Sequence, residues 1–186
     1  MIRATKTEDV KKDRWDALQI GDLMTMEGNR VTFTGDPMTR RTGGNSAFLT
    51  EVMERGVHRW TFRTNIHFVH WWSATIGIWK CTDNADPPRN NIFTLGENRG
   101  YGLNLCQGTL VDTITGRSGP CEPLQTNYVD ISFGTNEIEM VLDLNKGELK
   151  YIINGRHCGK AFDVATGCSY RAAINLSQIG DSVVLL

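Results

Sequence analysis

Long apolar runs are missing from this chain of 186 residues. None approaches the roughly 20 consecutive apolar residues that a spanning helix needs, so a helical membrane protein is excluded. The opening stretch MIRATKTEDVKKD lacks the apolar segment of a secretory signal. A charge excess is missing as well: 20 Lys and Arg face 21 Asp and Glu, a net charge of −1. That balance gives no electrostatic reason to expect a nucleic-acid partner. Cysteine is present five times, an odd count with no C-x-x-C pair. With no signal segment, this points to free thiols in a reducing, cytoplasmic setting. Proline is sparse, and neither a low-complexity linker nor an internal repeat breaks the chain. What is there is ordinary for a globular protein: 40% hydrophobic and 22% charged residues. The length suits one domain with a sizeable core. We place that domain at 14–186, after a charged N-terminal tail at 1–13.

The dominant pattern has a period of two. Ile138, Met140, Leu142 and Leu144 alternate with Glu137, Glu139, Val141 and Asp143. After Lys146-Gly147 the apolar face resumes with Leu149, Tyr151 and Ile153. Successive strand side chains point to opposite faces, so this is a hairpin with one buried and one wet, acidic face. Asn154-Gly155 suits the next tight turn, because both residues tolerate positive φ. GVHRWTF puts Trp60 and Phe62 on one face. ATIGIWK is apolar on both faces around Gly77, as a central strand would be. NRVTFTG, YGLNL, YRAAINL and DSVVLL read as further strands. Many short strands with glycine between them predict an all-β, antiparallel sandwich with little helix. FLTEVMERG fits a helix and a strand equally well. CTDNADPPRNN reads as a long exposed connection.

The ordered set of strands carries a resemblance. IEMVLDLNKGELKYIINGRHCGKAF closely resembles the signature of the SPRY domain family. RGVHRWTF is similar to its Gly-x-His-x-Trp strand, IGIWK to its Gly-centred strand and YGLNL to its Tyr/Trp-Gly-x-x-Leu segment. YRAAINL and GDSVVL resemble its closing pair, and RWDALQIGDLMTMEGNRVTF resembles the stretch that precedes the domain in SPRY adaptor proteins. In order, these cover nearly all of Arg14 to Leu186. The resemblance implies a bent β-sandwich of the concanavalin-like type. It also implies a non-catalytic role in which loops at one end bind a short segment of another protein, with a link to ubiquitin ligase machinery. We expect neither a cofactor nor a metal site.

Several residues invite chemistry. His157 and Cys158 are adjacent on a strand and so point apart, which argues against a nucleophile–base pair. His67 and His70 fall on opposite faces, with no further ligand at metal spacing. Glu137, Glu139 and Asp143 share a face, but a solvated sheet surface explains them without a glycosidase cleft. Of Trp71 and Trp72, one is expected to cap the core. A carbohydrate-binding, lectin-like module on the same architecture remains the alternative function. CTDNADPPRNN, however, makes a poor calcium loop.

Loops on a rigid scaffold are where binding residues concentrate. The resemblance assigns polar and proline contacts to GDPMTRR, hence Asp36, Pro37, Arg40 and Arg41. GENRGYG supplies Glu97, Arg99 and Tyr101, with Tyr101 as an aromatic anchor. LSQIGD supplies Gln178 and Ile179 where several SPRY adaptors carry an aromatic. The three loops are expected to converge on one end of the sandwich.

Overall fold

The computed structural model describes residues 13–35, 45–67, 74–82, 93, 99–106, 108–114 and 134–186. Thirteen strands account for most of them. In chain order they are β1 (Trp15–Ile20), β2 (Met24–Glu27), β3 (Arg30–Phe33), β4 (Asn45–Leu49), β5 (Val57–Ile66), β6 (Ala74–Lys80) and β7 (Gly100–Asn104). There follow β8 (Thr109–Asp112), β9 (Gly134–Asp143), β10 (Glu148–Ile153), β11 (Arg156–Asp163), β12 (Tyr170–Leu176) and β13 (Ser182–Leu185). They form a six-stranded sheet, β1-β4-β12-β6-β7-β8, and a seven-stranded sheet, β11-β10-β9-β5-β13-β3-β2. Every strand pairing is antiparallel.

The seven-stranded sheet follows the period-two pattern closely. Trp60, Phe62, Thr64 and Ile66 of β5 turn inward and are buried. On β9, Asn136, Ile138, Met140 and Leu142 do the same, while Glu137 and Glu139 face solvent. The outward residues make a charge ladder, with Arg59 paired to Glu139 and Arg63 to Glu137. Exposed pairs of this kind add little stability. Leu149, Tyr151 and Ile153 of β10 complete the inner face. The sheets meet through rings and hydrogen bonds. Trp15 packs on Phe62 with centroids 6.1 Å apart, and the Tyr151 hydroxyl donates to the Ile76 carbonyl at 3.0 Å.

The six-stranded sheet is buried on both faces, as β4, β6, β7 and β12 show at every position but the end of β6. Its inner face joins the main core through Ala47, Ile76, Leu103 and Ile174. Its outer face carries a second cluster of Phe48, Trp79, Phe93, Val111 and Ala173. Phe93 lies against the glycines of β7: a Cβ on Gly102 would sit 2.9 Å from its ring. The alternation on β6 reads as apolar on both faces because both faces are covered. Gly77 has its own reason. A Cβ there would run into the Tyr101 carbonyl and, at 2.6 Å, the Cα of Gly102, so β6 and β7 approach too closely for any side chain.

Two boundaries differ from the sequence reading. FLTEVMERG is not a helix. Phe48 and Leu49 end β4, Met53 makes an isolated bridge to Tyr170, and Gly56 turns the chain at φ 90°. Asp13, expected in the tail, is tied into the domain. Its Oδ1 accepts from the Arg14 amide and the Thr50 hydroxyl, and its Oδ2 accepts from Trp60 Nε1.

Candidate functional site

Strand direction decides which loops share an end. On β12, Tyr170 pairs with Lys80 and Leu176 with Ala74. On β7, Gly100 pairs with Trp79 and Asn104 with Thr75. The chain therefore enters β7 through Arg99 beside Lys80, whose amide donates to the Arg99 carbonyl. The turn after β12 lies at the other end, about 20 Å away at roughly 3.3 Å per strand residue. Arg99 and Tyr101 do not converge with Gln178 and Ile179, contrary to expectation.

Tyr101 is also buried rather than presented. It is 6% exposed, and its ring packs on Phe162 across the sandwich at 5.0 Å. Burial, reinforced by Asp112, pushes its hydroxyl pKa up. The reason is strand parity. Tyr101 and Leu103 share the inward face of β7, so a tyrosine at a strand's second residue becomes core. Arg99 is half-buried beside it, its amide held by the Thr113 hydroxyl at 3.3 Å. Asp36, Pro37, Arg40, Arg41 and Glu97 lie outside the described residues, as do His70, Trp71, Trp72 and Cys121.

The opposite end keeps its candidates. Gln178 to Asp181 form a turn closed by the Asp181 amide donating to the Gln178 carbonyl at 3.1 Å. Gly180 takes φ 85°, which a side chain disfavours. Gly180 N–H donates to the Phe33 carbonyl and Phe33 N–H to the Asp181 carbonyl, both at 3.0 Å. The turn is thus stitched to Phe33 at the end of β3, three positions before Asp36. At its apex Ile179 is 51% exposed, while Gln178 is half-buried.

Under this turn sits a residue that the sequence reading passed over. Asp181 is fully buried, and its Oδ1 accepts the His67 backbone N–H at 2.8 Å. The His67 ring Nδ1 is 3.6 Å from the same oxygen. Burial raises the Asp181 pKa, and His67 opposes the rise. The signal available in sequence was an aspartate directly after a glycine turn and before an apolar strand, too common a pattern to single out. The other chemistry-bearing residues stay apart. His157 is exposed, while Cys158 is half-buried and donates to the Arg156 carbonyl at 3.5 Å.

No protein-family model matches the chain, and no curated protein matches it in sequence. Solved structures do match. The SPRY domain of human HERC1 superposes with a TM-score of 0.66 at 15% identity, covering 92% of this chain and 96% of that one. The TRIM65 PSpry domain gives 0.59 at 15% identity, over 94% and 89% of the two chains. A human SPRY domain gives 0.55 at 11% identity, over 88% and 94%. Two antiparallel sheets, inward-facing aromatics and near-complete mutual coverage lead to one statement of identity: this chain has the SPRY-domain fold.

Proposed function

We propose that the chain is a non-catalytic protein-interaction module, binding a short segment of a partner protein at the end of the sandwich that carries the Gln178–Asp181 turn. The observation that carries the reading is Ile179, an exposed branched aliphatic at the apex of a turn fixed by backbone hydrogen bonds. A single exposed apolar residue is common on protein surfaces. One held rigidly at a loop end differs, because little freedom remains to be lost when a partner covers it. Asp36, Pro37, Arg40 and Arg41 follow β3 in sequence and extend the site in this reading with polar and proline contacts. Glu97, Arg99 and Tyr101 are left out of it. The likeness to SPRY domains supports a binding role by analogy of fold, and fold alone does not fix function. The reading includes a reducing, cytoplasmic setting, supported by an odd count of five cysteines with no C-x-x-C pair. A tie between the partner and ubiquitin ligase machinery belongs to the same proposal.

The test is capture of a partner from the native host, followed by calorimetry with defined variants. Ile179→Ala should weaken binding by about 1–2 kcal/mol, roughly ten-fold. Glu139→Ala, on the charge ladder, should bind like the unmodified protein. If Ile179→Ala binds normally and Glu139→Ala does not, the site is on the sheet face and the reading fails.

A further inference from the structure

Asp181 joins three segments at the end of the sandwich. Its backbone carbonyl holds the end of β3, its carboxylate holds the residue after β5, and its amide closes the Gln178–Asp181 turn. A fully buried carboxylate with that many duties is normally satisfied on both oxygens. Here Oδ1 has the His67 amide and ring, while Oδ2 is buried without a hydrogen-bond partner among the described residues. Phe33 from β3 and Thr34 after it, Ile66 from β5, Gln178 and Ile179 from the turn, and Ser182 from β13 carry no charge. Among the described residues, His67 is the one titratable group acting on Asp181.

We propose that Asp181 and His67 form a proton-operated brace that positions the Ile179 turn for binding, an inference that rests on the reading of that turn as the interaction site. With His67 protonated, an imidazolium faces the carboxylate and compensates its buried charge. When His67 loses its proton, an ionised Asp181 has, among the described residues, one donor on one oxygen and none on the other. An uncompensated buried charge is costly, so the end of β5 and the turn are held less firmly. Asp181 acts in the same direction. Its raised pKa means that the folded state keeps a proton where the unfolded chain has released it. That contribution is present at acid pH and is lost as pH rises through the folded value. Both steps predict a turn that tightens on acidification and loosens as pH rises.

The experiment is a pH titration of the whole chain by amide and imidazole NMR, with no partner present. The amides of His67, Ile179 and Gly180 should shift together and follow the His67 ring. Asp181→Asn keeps the Oδ1 acceptor but removes the charge, and should abolish that joint titration. If that variant fails to fold, His67→Gln serves instead, leaving the carboxylate in place and the turn indifferent to pH. Once a partner is in hand, its affinity for the unmodified protein should fall about five-fold or more from acid to neutral pH. In His67→Gln that dependence should disappear. Turn amides that stay flat while the His67 ring titrates overturn the brace, whatever Ile179 does in binding. Joint titration with normal binding by Ile179→Ala keeps the brace and overturns the interaction site.

Discussion

Replacing Tyr101 with alanine separates a surface anchor from a core ring. The sequence places it in a polar loop next to Arg99, whereas the fold turns it inward against Phe162 at 5.0 Å. Deleting a large buried aromatic costs about 3–5 kcal/mol. The paired ring contact adds roughly 0.5–1.5 kcal/mol beyond area burial. A domain of this size has about 5–15 kcal/mol in all, so Tyr101→Ala should remove a large share. At about 2–4 °C per kcal/mol in this size range, a loss of 3–5 kcal/mol lowers the melting midpoint by about 6–20 °C. Tyr101→Phe keeps the ring and should recover most of the loss. The assays are urea and thermal unfolding of both variants, with partner affinity measured well below the midpoint. There, folded Tyr101→Ala should bind like the unmodified protein. An unchanged midpoint together with weakened binding would refute the inward placement and return Tyr101 to the site.

Three further outcomes follow from the same structure. Gly77→Ala should destabilise by about 3 kcal/mol or more, because its Cβ meets backbone rather than a side chain that can give way; unfolding with an unchanged midpoint would contradict the β6–β7 register. Arg171 is buried, donating to the Leu49 carbonyl at 2.9 Å and pairing with Asp16 at 2.8 Å. Arg171→Ala should cost about 3 kcal/mol and Asp16→Asn less than about 1.5 kcal/mol, and a double-mutant cycle reads the coupling. Stability should also fall at alkaline pH. Burial raises the pKa of Tyr101 and Tyr170 above their ordinary 10.0, so the unfolded chain releases protons that the folded one retains, and stability declines as pH rises past that value. Denaturant midpoints measured upward from about pH 9 should show this decline, and Tyr170→Phe should flatten it.

The sequence by itself determined the fold. Alternation at Ile138–Leu142 and Leu149–Ile153 states which face is buried, and a strand's geometry leaves no other arrangement. Trp60 and Phe62 were legible as core for the same reason, and Asn154-Gly155 as a turn, where Asn154 indeed takes φ 49°. The order of the motifs carried the resemblance to SPRY domains, and the superposition with their structures agrees. Tertiary structure alone decided the rest. Whether Tyr101 faces in or out depends on where β7 begins, and one residue of register inverts every side chain. Which end of the sandwich a loop occupies depends on strand direction, which is set by pairings such as Tyr170 with Lys80, 90 positions apart in the chain. Phe93 covers a glycine strip that reads locally as mere flexibility. Asp181 reads as an ordinary turn aspartate until β5 brings His67 against it. These features come from contacts between distant segments, and local pattern carries no record of which distant segment will arrive.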